Sequence, residues 1–324
     1  MLENVIRQEL DGRRQQLQAA LARPSAPRQL ASLLAEVDEA LRRVEAGTYG
    51  LCETCGDPIE ADRLLADPLL RFCLDHLTPE QQTALERDLQ LAARIQQGLL
   101  PPADLAVDGW DWAYRYEPAH LVSGDYCDVI AGPAGDRFFL LGDVAGKGVA
   151  ASMLMAQLHA MFRSLIPVGL PVCDLLERAS AIFCDSTLPT HYATLACVRA
   201  QADGAVEICN AGHLPPVLVR TNGTTRLLAD ASGLPIGMFC AGRYESFHER
   251  LGPGDALVLC TDGVLDTENA AGEEFGFARL ERLASRHAGL SPAALVAEYF
   301  HALDHHRAAG QSRDDVTMLV VRRR

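Results

Sequence analysis

The stretch FLLGDVAGKGVAASMLMA, residues 139–156, runs an apolar segment into one acid, Asp143, then into a glycine-spaced turn and a helix of small residues. Gly146-Lys147-Gly148 admits three readings: a phosphate cradle, part of a metal site, or a plain turn. A P-loop requires G-x-x-x-x-G-K-[ST], whose amides and lysine hold phosphates while the hydroxyl holds magnesium. Leu141 stands five positions before Gly146 and Gly148 follows Lys147, so both ends of that pattern fail. A metal site and a plain turn remain, and the rest of the chain chooses between them.

Short β-type runs surround this stretch from about residue 108 onward: WAYRYEPA, YCDVIAG, RFFLLGDV, YATLACVRA, AVEICNAG, PVLVR, ALVLCTDG and VTMLVVR. TNGTT (221–225) is a hairpin turn signal. Helical patterns fall at about 147–166, 172–187, 277–288 and 292–307. Hairpin strands interrupted by pairs of helices predict an α+β layered domain, not a parallel doubly wound sheet.

Three more acids share the context of Asp143, each at the end of a β-type run beside glycine or another acid. They are Asp125 in SGDYCD, Asp262 in LVLCTDGV and Asp314 in QSRDDVT. A single such aspartate is an ordinary turn former; four with apolar strands leading in or out are not explained as turns. Carboxylates gathered without thiol or imidazole partners select hard cations, magnesium or manganese. Without a cation the same cluster repels itself. This reading makes Asp143 the bridging ligand of a two-metal site, with its glycine turn leaving the Val144 carbonyl to face a metal.

The ordered motifs ARIQQGLLP, SGDYCDV, GDVAGKGVAASMLMA, NAGHLPPVLV, GLPIG, LCTDGVLDTEN and DDVTMLVV resemble the metal-dependent PPM serine/threonine protein phosphatases, in the SpoIIE/RsbU branch. The resemblance covers about residues 85–322. It implies a central β-sandwich flanked by helices, with the metals at one end. It implies Asp125, Asp143, Asp262 and Asp314 as ligands of two Mn2+ or Mg2+ ions, with the Val144 carbonyl. Asp128 and Asp315 are then the second acids of their motifs, behind the ligands. The mechanism the resemblance implies is in-line attack on a phosphoserine or phosphothreonine phosphorus by a water that the two metals would acidify. All the metal-binding acids of the family are present, so an active enzyme is expected. The resemblance also implies a phosphorylated, anti-anti-sigma-factor-like regulatory protein as substrate, and a connector helix that dimerises. Cys127 is expected to be a packed small residue, His213 to shape a turn, Lys147 to be a solvated turn residue, and His305-His306 to lie on an exposed helix face.

The N-terminal part reads differently. Leu2, Ile6, Leu10, Leu17 and Leu21, then Leu30, Leu33, Leu34, Val37, Leu41 and Val44, lie at helical spacing on either side of ARPSAPR (22–28). Two such stripes predict an antiparallel helical hairpin. Cys52 and Cys55 form C-x-x-C, and after seventeen residues Cys73 and His76 form C-x-x-H. That spacing is that of a four-ligand structural zinc site. RRVEAGTYGLCETCGDPIEADRLLADPLLRFC resembles the DksA/TraR-type zinc finger, over roughly residues 30–77. Here His76 replaces that family's last cysteine. The hairpin tip is basic, where members acting on RNA polymerase carry acids.

TPEQQTALERDLQLAARIQQGLLPP (78–102) then predicts a connector helix, with Thr78 as N-cap and a stripe of Leu85, Leu89, Ala92, Ile95 and Leu99. A stripe this narrow packs on the next domain or pairs with its twin in a homodimer. The expected division is a helical hairpin (1–48), a zinc finger (49–77), a connector (78–102) and a phosphatase domain (103–324).

The 324 residues carry a net charge of −14 and 48% hydrophobic residues. That charge argues against a general nucleic-acid binder. No apolar run approaches the ~18 residues of a membrane helix, and MLENVIRQELDGRRQQ lacks a signal-peptide core, so a cytoplasmic protein is expected. Three of the ten cysteines belong to the zinc pattern; the other seven read as small hydrophobes. The alternative function is a non-enzymatic regulator that binds RNA polymerase through the zinc module, with the phosphatase lobe as scaffold. The intact acid set and the basic tip count against it.

Overall fold

The computed structural model describes residues 7, 10–15, 17–18, 28–60, 63–64, 67–73, 76, 79–103, 105–188, 190–229, 232–240, 242–307 and 314–324. Leu2, Ile6 and Leu21, residues 22–27 of the expected hairpin tip, and the expected cap Thr78 lie outside them. The chain forms two compact units, Met1–Asp88 and Leu89–Arg324.

In the first unit helix α1 (Arg28–Glu45) ends on Arg42 and Arg43, cations that suit the negative end of a helix. Its Val37, Ala40, Leu41 and Val44 bury together with Leu10, Leu17, Cys52, Ile59, Leu64 and Cys73. Residues 10–15 and 17–18 are helical. The Tyr49 hydroxyl donates to the Pro68 carbonyl at 2.8 Å, closing the segment that carries the cysteines. Helix α2 runs Pro79–Gln97, shorter than the 78–102 read from the sequence. Its predicted stripe is divided: Leu85 and Ile95 stay exposed, Leu89, Ala92 and Leu99 are half-buried, with Leu99 packed on the core around Tyr126, Leu158 and Phe162, and Gln96 beside them is buried.

The second unit has two sheets. One takes the order β1 (Trp110–Glu117), β11 (Val316–Arg323), β10 (Ala256–Cys260), β6 (Val217–Val219), β7 (Thr225–Leu227). The other takes β2 (Asp125–Ala131), β3 (Arg137–Val144), β4 (Ala193–Ala200), β5 (Ala205–Ala211), β8 (Ser232–Gly233), with β9 (Ser246–Arg250) also on β5. Pairing is antiparallel except for the two-residue β5–β8 contact. The expected α+β sandwich is what forms, with β7, β8 and β9 added to the runs visible in the sequence.

Period-two alternation sorts the side chains into three cores. Between the sheets lie Trp110, Val129, Phe139, Leu141, Val198, Ile208, Leu257, Leu259, Leu319 and Val321. Outside the β2 sheet, helices α3 (Gly148–Leu165) and α4 (Val172–Ser186) cover Tyr126, Phe138, Leu140 and Leu195 with Met155, Leu158, Phe162, Leu176 and Phe183. After β10 comes the one-turn helix α5 (Asp262–Leu265). Outside the β1 sheet, α6 (Gly276–Arg286) and α7 (Pro292–His306) bury Leu280, Leu295, Tyr299, Phe300 and Leu303 against Val258, Val316, Met318 and Val320. Gly148–Val168 is long and apolar enough to cross a membrane by length and composition, a run the sequence reading passed over. Here one face of it lies in the core, through Ala151, Met155, Leu158 and Phe162.

Two of the cysteines read as small hydrophobes are instead paired. Cys184 and Cys240 form a disulfide joining the last turns of α4 to the loop after β8. Cys127, Cys197, Cys209 and Cys260 are buried thiols, as expected.

Candidate functional site

Asp125 opens β2 and Asp143 stands next to last in β3, and the strand register pairs them directly. They alternate with Cys127 and Val129, and with Leu141 and Phe139, all packed between the sheets. Alternation therefore turns both carboxyls toward that layer, at its end. From the opposite sheet Thr317 continues the inward row of Val321 and Leu319, and Thr261 that of Leu257 and Leu259. Both hydroxyls donate to Asp125 Oδ2, that of Thr261 at 3.0 Å. The Asp125 amide donates to Ser123 Oγ at 3.0 Å. Asp125 is thus buried and hydrogen-bonded.

Asp262 does not end a strand. It opens α5, while Asp314 lies two residues before β11. Gly263 explains this turn: a Cβ there would sit 2.0 Å from the Asp315 carbonyl oxygen, so only glycine lets the two segments meet. A Cβ on Gly124 would likewise lie 3.0 Å from the Val144 carbonyl oxygen and 3.2 Å from Asp143 Oδ1. Asp315 accepts from the Ala119 and Gly124 amides at 2.7 and 3.0 Å, fixing the loop that leads into Asp125.

The charges bear on one another. Burial, then the carboxylates of Asp262, Asp314 and Asp315, push Asp143 up to about 7, against the opposing ammonium of Lys147. Burial, then Asp143, pushes Asp125 up as well. Desolvation by the chain packed around it, then Asp314 and Asp266, does the same for Asp262, although its side chain reaches solvent. Asp266 was not singled out in the sequence. Its one signal is its place four residues after Asp262, one helical turn on. Lys147 is exposed in its turn, as expected, and from there also sets its Nζ 3.1 Å from Asp314 Oδ2.

An all-oxygen, mutually repelling donor set fits hard divalent cations. No three of these carboxylates, among the described residues, bring oxygens within 4.8 Å of one another; Cys52, Cys55, Cys73 and His76 do.

The raised Asp143 makes the site's stability depend on pH. A carboxyl at about 7 when folded and 3.8 when free holds its proton more tightly in the fold. Its contribution to stability therefore falls as pH rises from about 4 to about 7, then levels off. A bound cation offsets the repulsion that develops. The rise in melting temperature on adding Mn2+ should be larger at pH 8 than at pH 5; equal rises would count against this electrostatic picture.

Asp128 does not stand behind the ligands. It lies on the opposite face of β2, fully buried, where Arg163 of α3 donates to its two oxygens at 2.9 and 2.8 Å. Arg163→Ala should cost about 3 kcal/mol by stranding a buried carboxylate. Urea unfolding reads this, and Asp128→Asn in the same chain should recover part of it.

Gln96 was missed altogether. Its side-chain amide donates to the Ser123 carbonyl at 2.7 Å and accepts from the Ser123 amide at 3.0 Å. The end of α2 therefore completes the backbone bonding of the loop before Asp125. His213, between β5 and β6, is buried, and burial pushes its imidazole down to about 4, so it is neutral. Its Nδ1 lies 2.8 Å from Thr194 Oγ1, and Thr194 is the β4 partner of Asp143. It shapes the site and carries no charge there. Burial also pushes the Cys127 thiol well up, which leaves no thiolate nucleophile.

In the first unit Cys73 Sγ lies 3.2 Å from His76 Nδ1 and 3.9 Å from Cys55 Sγ. Burial raises the Cys52 thiol, but amides of Cys73, Cys55 and Thr54 outweigh it and hold it at about 6. Against the Asp57 amide, burial and side-chain hydrogen bonds with Cys52, Asp57 and Cys73 push Cys55 the other way, up to about 12, and three sulfurs with one imidazole nitrogen are a donor set that fits zinc.

Residues 133–324 match the family described as Stage II sporulation protein E (SpoIIE), and residues 47–75 match the prokaryotic DksA/TraR C4-type zinc finger. Phosphoserine phosphatase RsbU of Bacillus subtilis (strain 168) is 26% identical over 75% of this chain and 72% of its own length. The RsbU and RsbW domains of Rv1364c from Mycobacterium tuberculosis are 28% identical with a TM-score of 0.60, over 69% of this chain and 62% of theirs. The SiaA-PP2C domain of Pseudomonas aeruginosa shares the fold at a TM-score of 0.65 and 21% identity, over 74% of this chain and 98% of its own. With the sandwich, the acids at its end and these likenesses together, the chain belongs to the SpoIIE family: a PPM-type serine phosphatase domain with a DksA/TraR-type zinc finger before it in the sequence.

Proposed function

We propose that this protein removes phosphate from a phosphoserine or phosphothreonine of a regulatory protein, anti-anti-sigma-factor-like in kind. The observation that carries the reading is that Asp125 and Asp143 pair across β2 and β3 at the end of the sandwich while the close approach at Gly263 brings the segments of Asp262 and Asp314 together. Asp125, Asp143, Asp262, Asp314 and the Val144 carbonyl would hold two Mn2+ or Mg2+ ions. Such ions, when bound, supply charge neutralisation at the phosphoryl oxygens and an acidified water. The chain's own groups set the frame. Thr261, Thr317 and Ser123 orient Asp125. Asp315 fixes the loop from Ala119 to Gly124, and Lys147 offsets part of the acids' charge. Asp262 is exposed and the side chain of Asp314 is 47% exposed, an open site that suits a side chain on a protein. The name of RsbU, a phosphoserine phosphatase, supports the same substrate chemistry.

One zinc ion on Cys52, Cys55, Cys73 and His76 would stabilise the N-terminal module, which we take to regulate turnover. Residues 78–102 would pair two copies, with Leu85, Leu91 and Ile95 exposed on α2 in support. The setting we infer is cytoplasmic.

The test is release of phosphate from a phosphoserine peptide with Mn2+, against the same reaction with chelator and against a generic phosphoester. Mn2+-dependent release favouring the peptide supports the reading. No release from folded, Mn2+-saturated protein would sink it. The DksA/TraR match favours one second reading, a scaffold on RNA polymerase, which predicts polymerase capture that survives Asp143→Asn.

A further inference from the structure

Helix α7 turns Leu295, Val296, Tyr299, Phe300 and Leu303 inward. His301 and His305 are thereby left on its exposed side, one turn apart. The two rings meet there. Their Nε2 atoms lie 3.1 Å apart, with ring centroids 4.4 Å apart and planes at 87°.

That separation is the bite of a chelate. An ion bound to imidazole nitrogens at about 2.0–2.1 Å spans nitrogens about 2.9 Å apart at a right angle and about 3.4 Å apart at the tetrahedral angle. The observed distance falls between the two. Histidines at i and i+4 on one helix face are also the spacing of helical zinc motifs.

We propose that His301 and His305 form a surface chelate for a borderline divalent transition metal of the zinc, nickel or copper class, with water completing the shell. The neighbours keep it a two-imidazole site. His306 turns instead to the Glu273 carbonyl, at 2.9 Å, and to the edge of the Phe275 ring. Asp304 lies 4.0 Å from the Arg307 guanidinium. Arg279 and Arg282 line the depression beside His305, and their charge opposes a cation, which sets the affinity below that of a structural zinc site. The selectivity separates this chelate from the carboxylates. Imidazole favours nickel, copper and zinc, whereas manganese stands at the weak end of the divalent order. Mn2+ sufficient for the acids therefore leaves His301 and His305 free. The proposal does not depend on the phosphatase reading.

Ni2+ is the probe. It is titrated calorimetrically into the full chain with the zinc module already saturated, for the wild type and for His301→Gln, His305→Gln and His306→Gln. The readout is the difference between chains, so Ni2+ taken by the aspartates cancels. The expected result is about one Ni2+ per chain, lost or weakened at least tenfold by either of the first two changes and retained in the third. The substituted side chains are exposed, and circular dichroism confirms the fold. Retention of the untagged chain on a nickel-chelate resin should follow the same pattern. Unchanged Ni2+ binding in both His301→Gln and His305→Gln would overturn the proposal and leave the contact as an N–H···N bond between two imidazoles.

Discussion

Asp143→Asn should lower Mn2+-dependent phosphate release by about 10³-fold in kcat/KM, a loss of about 4 kcal/mol of transition-state stabilisation. Asp143 pairs with Asp125 across the strands and responds to Asp262, Asp314 and Asp315. It thus feels the carboxylates of Asp262, Asp314 and Asp315, and Asp125 in turn feels it. The amide keeps the size and loses the charge, so the fold should persist. It should even gain stability in the absence of metal, because one member of a repelling set has become neutral. That pairing of outcomes, higher melting temperature without metal and lost turnover with it, distinguishes a ligand from a packing residue. A variant that retains more than a tenth of wild-type turnover at saturating Mn2+ would remove Asp143 from the centre of the site.

Cys52→Ser should empty the zinc site and unfold the module around it. The core of the first unit is small, with Leu10, Leu17, Val37, Leu41, Val44, Ile59 and Leu64 the larger described side chains buried with Cys52 and Cys73. Cores that small supply little net stability, whereas structural zinc contributes an apparent ~10–16 kcal/mol in isolated fingers at neutral pH. Two measurements on the full chain check this. Zinc content should fall from about one ion per chain to none, and limited proteolysis should cut within residues 1–88 while leaving 89–324. Full zinc content, or wild-type protease resistance, would contradict the four-ligand assignment. If the module governs turnover, phosphate release should change in the same variant although every aspartate is untouched. Unchanged release would separate the two units functionally.

Local pattern carried much of this molecule. Strand-type runs, the glycine beside Asp125, Asp143 and Asp262 and the C-x-x-C and C-x-x-H spacing are properties of neighbouring residues, so a layered α+β domain and the candidate aspartates and zinc ligands could be named before any coordinates, with the sandwich itself implied by the family resemblance. The four main helices after residue 147 fall within a residue or two of their sequence limits. What escaped were relations between residues far apart. Gln96 binds Ser123 across 27 positions, Arg163 binds Asp128 across 35, and Thr317 reaches Asp125 across 192. Each depends on which sheet face meets which helix, and periodicity says only that a face exists. On α2 the stripe rule found only part of the buried face, because Gln96 is buried there through its two hydrogen bonds to the Ser123 backbone. The same holds for Cys184 and Cys240, whose apolar contexts gave no sign that α4 and the loop after β8 would meet. Chain chemistry chose the donors; packing of the two sheets chose which donors share a charge field, and so which proton is held and which is lost.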